Sequence, residues 1–571
     1  MNENSSQENF EQYDAIVIGT GISGGWAAKE LSERGLKTLV LERGRMVNHI
    51  KDYPTMNMDL WDFENRGKAA TEDIKRQEKQ NRTGYTINEA SKHWFVNDIQ
   101  HPYNETKRFD WIRGYHVGGK SLMWARISLR WSEMDFEANK KDGHGVDWPI
   151  RYNDLKPWYE KVEKYVGISG KAEGLPQLPD SIFTPPMPLN CVEEEFQKGV
   201  AENFDDRQVI NGRSANLTGD QDRIGRSKCQ FRNRCIRGCP FGAYFSSNSC
   251  TLPAADRSNN MTLRPNSIVH EIVYDDTKKV ATGVKVIDAE TNEKLEFHAK
   301  IIFCCASTVA TTSILLQSKS ERFPNGLGND SGELGHNLMD HHFKVGATGI
   351  YEGHEDDYYK GRKPSGFFVP RFRNIDKKTK QNNFVRGYGM QGGASRLNWA
   401  RSIGEMSYGA RLKEELLKPG QWRIGVNCFG ECLPYHENKM SLNYDKLDKW
   451  GLPTVDFDCE YKENEAEMRK DAKQQAAAML KASGFKNVKG YDNPCFPGNG
   501  IHEMGTARMG RDPKTSVLNK NNQIHTVPNV YVTDGSCMSS SASQNPSLTY
   551  MAMTARAANH AADEFNKIKK Q

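Results

Sequence analysis

The sequence predicts an α/β protein with α+β insertions, in which a βαβ nucleotide lobe carries a second, sheet-based lobe. Three observations predict it: a strand–turn–helix–strand pattern from Tyr13 to Gly44, a strand-rich meander from Met261 to Cys305, and a second strand-rich stretch from about Phe343 to Pro494 with one helix of its own. At 571 residues the chain is too long for one simple core.

The head unit organises the rest. An apolar run, Ala15 to Ile18, enters the turn Gly19-Thr20-Gly21-Ile22-Ser23-Gly24; a helical pattern runs to Leu31, and a second apolar run, Thr38 to Leu41, ends in Glu42. Gly19 permits the tight turn, Gly21 lets a pyrophosphate approach the backbone, and Gly24 lets helix and sheet close up. The helix N-terminus then offers unpaired N–H groups and a positive dipole end to the phosphates. Glu42 stands where a carboxylate accepts hydrogen bonds from ribose hydroxyls, which argues against a 2′-phosphorylated nucleotide.

Composition excludes other classes. Net charge is +5 with no basic run, so nucleic-acid binding has little support. No window of about eighteen apolar residues encodes a membrane span. The polar start, residues 1–12, reads as a disordered tail rather than a signal peptide. Of twelve cysteines, three fall between Cys229 and Cys239, a clustering that suggests metal chemistry more than a disulfide framework.

Along the chain, Asn48 to Lys107 is irregular with aromatic punctuation: a surface loop by default, or an excursion that covers a cofactor. Gly118-Gly119-Lys120-Ser121 permits close backbone approach, and Ser121 offers a hydroxyl to phosphate or ribitol. Tyr152 to Val166 has helical spacing with an Asn153 or Asp154 cap, and the proline-rich stretch Leu175 to Leu189 marks a lobe boundary. Cys304 and Cys305 end a buried strand and read as core packing. Thr308 to Gln317 reads as a helix. In the second lobe FFVPRF, QWRIGVNCFG and PTVDFD read as strands and Glu463 to Ser483 as a helix.

Near the tail stand His502-Glu503-Met504-Gly505-Thr506, then Asn529 to Ser536, then Gln544-Asn545-Pro546 and a helix from Tyr550 to Glu564. With the glycine turn, the Gly118–Ser121 loop and Leu334 to His341 (LGHNLMDH), four motifs in order make the chain resemble the glucose–methanol–choline (GMC) oxidoreductases, FAD enzymes that oxidise alcohols and sugars. The resemblance implies a Rossmann-like FAD-binding domain of GMC type made of 13–185, 256–342 and 500–571, a cysteine-rich insertion at 186–255, and a sheet-based substrate-binding domain at 343–499. It implies that Val269 holds adenine through its backbone, that Asp534 meets the ribitol and pyrophosphate region, that His502 is the catalytic base and that Asn545 is its partner. Where some branches carry a histidine that bonds FAD covalently, this chain has Met123, so FAD is expected to be non-covalent. The other histidines, His93, His101, His116, His341 and His342 among them, are expected to be structural.

Cys229-x5-Cys235-x3-Cys239-Pro240 leaves three readings open on spacing alone: an iron–sulfur cluster, zinc with Cys191 or Cys250 as fourth ligand, or a structural role. The segment resembles that of bacterial FAD-dependent sugar, gluconate and glucoside dehydrogenases, whose cluster-bearing members hold a 3Fe-4S cluster; a four-iron cluster using Cys250 stays open. The resemblance thus implies oxidation of a sugar or glycoside at C3 or C1, with electrons leaving through the cluster. It also implies a small accessory subunit, a cytochrome c acceptor, and export to the periplasm with a signal-bearing partner, or else a cytoplasmic enzyme. The alternatives are an oxygen-using alcohol or pyranose oxidase, or sugar-acid oxidation of the gluconate 2-dehydrogenase type.

Overall fold

The first strand, Tyr13–Ile18, lies inside the main sheet of the computed structural model, which describes residues 13–219, 225–357, 366–397, 408–417 and 420–570. The expected tail at 1–12 lies outside the described residues. Ala15, Ile16 and Val17 are all fully buried, because a parallel strand between parallel neighbours meets apolar groups on both faces. The sheet order is Gln523–Ile524, Val527–Val532, Lys294–Cys304, Tyr13–Ile18, Thr38–Leu41, Met261–Arg264, parallel except for the first pair. Lys294–Cys304 serves two sheets' worth of partners: its first half pairs antiparallel with Val280–Asp288, and its second half pairs with Tyr13–Ile18 and Val527–Val532. That arrangement joins the expected meander to the nucleotide sheet. Helices Ile22–Glu33 and Ser547–Lys570 pack together on one face, burying Ala27, Ala28, Leu31, Ala558 and Ala562.

A second, antiparallel sheet has the order Lys486–Asp492, His342–Tyr351, Trp422–Gly430, Tyr388–Arg396, Phe367–Val369, Ile210–Asn211. In Trp422–Gly430 every second residue is buried, the signature of a strand with one face on a core. Helix Glu463–Ala482 covers that face with Met468, Ala472, Ala476 and Met479, beside Phe196 and Val200 of helix Cys191–Asn203.

Three local expectations differ from what is observed. The helix Tyr152–Val166 is capped two or three residues earlier than expected: Arg151 is the N-cap, and its N–H donates to Asp154 Oδ2 (2.7 Å). PTVDFD forms Pro453–Asp458, but in a separate three-stranded sheet with Lys439–Leu447 and Asn104–Glu105, not in the sheet of the second lobe. The strand Tyr388–Arg396 has no clear sequence signal because Gly389, Gly392 and Gly393 lower its strand propensity. Two of those glycines are a packing device: a Cβ on Gly392 would lie 2.3 Å from the ring of Phe367, and one on Gly389 would lie 2.8 Å from that of Phe368.

Candidate active site

The parallel strands end together. Ile18, Leu41, Cys305 and Asp534 open one wall of a cavity of about 520 Å³, whose far wall carries Gln391 and Phe429 of the antiparallel sheet. Carboxyl ends of parallel strands are where α/β sheets bind ligands. The glycine turn forms the floor. Gly19 has φ +96°, and a Cβ there would meet Cys305 O at 2.6 Å; a Cβ on Gly24 would lie 1.9 Å from Gly19 O, whereas one on Gly21 would enter open space. No side chain caps helix Ile22–Glu33, and Thr20, Gly21, Ile22 and Ser23 line the cavity.

Glu42 is buried at the cavity edge, and burial pushes its carboxyl pKa up. Its oxygens accept from Thr20 N (3.1 Å), Thr20 Oγ1 and Gly44 N (2.9 Å), which fixes the carboxylate at the tip of the second strand. Thr20 Oγ1 also accepts from Gly118 N (2.9 Å), so the two glycine loops are tied together. Gly118 has φ +90°, and its missing side chain leaves room for Asn248 Oδ1, which a Cβ would meet at 1.7 Å; Gly119 lies over Gly21. Val269 lines the cavity on strand Ser267–Asp275.

Two further residues expected at the cofactor also carry bonds to the protein itself. Ser121 lines the cavity, and its Oγ donates to Gly118 O (2.5 Å) and accepts from Ser247 N (3.0 Å), bonds that shape the loop. Asp534 also lines the cavity, but its carboxylate accepts from Ser307 N (3.0 Å), Thr311 Oγ1 (2.5 Å), Ser536 N (3.0 Å) and Ser536 Oγ (2.5 Å). It ties the start of helix Thr308–Gln317 to the strand end.

At the other end of the cavity the structure brings His502 and Asn545 together, with Asn545 Nδ2 donating to His502 Nε2 (3.2 Å). Asn545 Oδ1 accepts from Gln391 Nε2 (2.6 Å). His502 Nδ1 lies 2.9 Å from His341 Nδ1. Backbone N–H groups of Gly500 (2.8 Å) and His502 (2.9 Å) donate to the carboxylate of Asp340, whose pKa is pushed up to about 8 by burial, reinforced by nearby Glu503. Lys120 Nζ bridges to Glu503 Oε2 at 2.9 Å on the same wall. Burial holds the pKa of His502 well below the usual histidine value, with His341 and Lys120 adding to the effect. His502 is therefore a neutral imidazole at ordinary pH. His341, Gln391, Asp340 and Lys120 are the members that sequence reasoning missed; the DH pair in LGHNLMDH was the one available signal.

The irregular stretch at 48–107 does cover the cavity: Tyr85, Thr86, Ser91, Phe95 and His101 line it. The cysteine segment abuts the same wall. Ile236, between Cys235 and Cys239, lines the cavity, and its carbonyl accepts from Trp94 Nε1 (2.8 Å). Burial pushes the Cys229 thiol up to about 11 and raises that of Cys235, with the neighbouring thiols adding to the rise at each. Cys250 lies apart in the core, where Arg226 Nη1 donates to its sulfur (3.5 Å). Among the described residues, the set of three metal-capable donor atoms found within 4.8 Å of one another is Cys191, His354 and Asp357, none of them from the Cys229–Cys239 segment.

Comparison with known proteins gives a consistent picture. Residues 13–343 and 434–554 match the family models described as GMC oxidoreductase. The chain is similar to 2-methyl-1,2-propanediol dehydrogenase of Mycolicibacterium austroafricanum (28% identity, covering 98% of this chain and 96% of that protein). It is also similar to the fructose dehydrogenase large subunit of Gluconobacter japonicus (25% identity, 95% and 97%). Its fold is like that of formate oxidase from Aspergillus oryzae RIB40, with a TM-score of 0.61 at 13% identity, covering 98% of this chain and 99% of that one.

Proposed function

Because the chain belongs to the GMC oxidoreductase family, whose members bind FAD and act on CH–OH groups, we propose that it is a dehydrogenase that oxidises a hydroxyl of a sugar or glycoside, at C3 or C1, to a carbonyl. The observation that carries the reading is the pairing of His502 and Asn545 on the wall of a cavity whose other end holds the glycine turn. The residues present fit FAD: Gly21 leaves open space over the turn, Glu42 stands at the second strand tip, and the buried Tyr550 hydroxyl and Glu503 Oε1 on the cavity wall have no protein partner. The turn Gly19–Gly24 and the Gly118–Gly119 loop would hold the diphosphate, Glu42 the ribose and Val269 the adenine.

FAD, when bound, supplies the hydride acceptor. His502 Nε2 takes the hydroxyl proton as the carbonyl forms, a step suited to a neutral imidazole. Asn545 Nδ2 donates to the same substrate oxygen and so fixes which C–H faces the acceptor. On the cavity wall Asn545 is buried and His502 is half-buried. Met123 supports non-covalent binding, since a thioether at that position offers no nucleophilic nitrogen to the flavin.

Cys229, Cys235 and Cys239 are proposed to hold an iron–sulfur cluster of 3Fe-4S type that passes electrons to a protein acceptor. The three half-buried cysteines lie within eleven residues of one another, and Ile236 between them lines the cavity, which places the segment beside the cofactor site. The likeness to a large subunit supports an accessory subunit and a cytochrome c acceptor. It also supports export to the periplasm with a signal-bearing partner; a cytoplasmic enzyme is the alternative.

The test is flavin bleaching under anaerobic conditions by a panel of D-glucose, D-fructose, D-gluconate, methyl glucosides and 2-methyl-1,2-propanediol, with iron and sulfide analysis and EPR. His502→Ala is expected to lower the bleaching rate by about 10²–10⁴-fold with FAD still bound; unchanged bleaching removes His502 from its role. Cys235→Ser is expected to spare bleaching and slow reduction of cytochrome c. Stoichiometric peroxide with no iron would make the protein an oxidase instead.

A further inference from the structure

His341 holds a position that the reaction as described leaves unused. It is fully buried, and its Nε2 lies 2.8 Å from Ala542 O and 3.1 Å from Ser541 O. Carbonyl oxygens only accept, so Nε2 carries the proton. A neutral imidazole has one N–H, and burial keeps His341 neutral by holding its pKa at about 4. Its Nδ1 is therefore a lone pair, and it faces His502 Nδ1 at 2.9 Å. Two ring nitrogens at that distance need one proton between them, which only His502 Nδ1 can supply. His502 Nε2 is then the unprotonated nitrogen, in agreement with the amide N–H that Asn545 directs at it.

We propose that His341 is a positioning residue that fixes the tautomer of His502, so that the proton-accepting lone pair sits on Nε2 and faces the cavity. The inference rests on the reading of His502 as the base. The surrounding backbone is built for this task. Ala542 adopts a left-handed conformation (φ +51°), strained for a residue with a Cβ, in the turn that presents both carbonyls to His341. Ser541 Oγ donates to Cys432 O (2.9 Å) and accepts from Cys432 N (3.1 Å), which pins that turn to the second lobe. On the other side, Asp340 grips the backbone of Gly500 and His502, and a Cβ on Gly500 would meet His341 O at 2.4 Å. Consecutive residues Asp340 and His341 thus hold His502 by its backbone and by its ring.

The experiment uses [¹⁵N]histidine-labelled holoenzyme, with His502→Gln identifying the signals of that ring. At pH 7–8 the expected state is a protonated Nδ1 and an unprotonated Nε2; an Nε2–H tautomer overturns the proposal. His341→Leu removes the acceptor, and exchange between both tautomers is expected, with the saturated rate of flavin reduction about 10–100-fold lower and KM within about threefold. His341→Gln can offer a carbonyl to His502 and an N–H to the carbonyls of 541 and 542, so it should restore the tautomer and return the rate to within about fivefold. A leucine variant that keeps both tautomer and rate overturns the role; if it fails to fold, the wild-type spectrum and the glutamine variant decide. Unaltered flavin reduction in His502→Gln would sink the base assignment alone, since the tautomer spectrum is read without turnover.

Discussion

The two ends of the cavity are built in opposite ways. At the nucleotide end, Gly19 to Glu42 is one unbroken stretch, and its parts meet because a parallel βαβ unit brings them together. At the reacting end, His341, Gln391, His502 and Asn545 come from four separate stretches, gathered by two sheets and by loops held in strained conformations at Ile501 and Ala542. The first end recognises a constant chemical object, a diphosphate, and needs backbone; the second must set one proton and one amide, and needs side chains held by other side chains.

The largest expected effect tests the backbone end. Gly24→Ala drives a Cβ to within 1.9 Å of Gly19 O, main chain that cannot move aside without opening the turn. Purified Gly24→Ala is expected to lack FAD absorbance altogether. Gly21→Ala, whose Cβ enters the cavity, is expected to fold with an unchanged circular dichroism spectrum and to bind FAD at least tenfold more weakly, as measured by titration of the apoprotein, which corresponds to about 1.4 kcal/mol. Equal outcomes for the two glycines would erase the difference between a packing position and a ligand-facing one.

Acidity tests the side-chain end. The pKa of His502 lies well below the ordinary histidine value and that of His341 at about 4. The neutral base persists as pH falls through 6.5, so the rate of flavin reduction should stay flat there and fall only at lower pH. Stability follows the same sign. A histidine with a depressed folded pKa contributes stability that is present above 6.5 and lost as pH falls toward 4, because the unfolded state then binds more protons. Between pH 6.5 and 4 the histidines therefore lower the thermal midpoint, against the opposite contribution of Asp340, whose raised pKa makes the folded state bind the extra proton; the decline should shrink in His341→Gln relative to wild type. An acid limb in the rate centred near 6.5 would mean that His502 is solvated.

These contrasts explain what could be read in advance. The glycine turn, its helix and Glu42 were legible because their spacing along the chain is their spacing in space. The reacting pair was legible only through family motifs, since nothing in the spacing of His502 and Asn545 says that they meet. His341 was read as structural because its partner lies far along the chain. Gln391 was hidden in a strand whose glycines answer to aromatic rings on the neighbouring strand. Asp534 and Ser121 do line the cavity, but their bonds to Ser307, Thr311, Ser536, Gly118 and Ser247 could not be read in advance, because residue type shows what a group can bond and not what already occupies it.

Gln391→Leu probes the side-chain end at lower cost. Loss of its bond to Asn545 Oδ1 frees the amide to turn, and one hydrogen bond of about 1 kcal/mol corresponds to a rate about five- to tenfold lower. The loss should fall on the saturated rate of flavin reduction, with FAD affinity untouched. An equal loss in FAD binding would mean that the two ends are coupled through the amide.

Ser121→Ala carries the smallest expected effect and the finest distinction. If the hydroxyl reached the cofactor, its removal would weaken FAD binding and leave the apoprotein as stable as before. Its bonds go to Gly118 O and Ser247 N instead, so the alanine leaves a buried N–H without an acceptor, at a cost of about 1–3 kcal/mol to folding. The expected result is a lower thermal midpoint in apoprotein and holoenzyme alike, with an FAD dissociation constant within about threefold of wild type. The reverse pattern would return Ser121 to the ligand and make the second glycine loop a contact surface instead of a scaffold for the first.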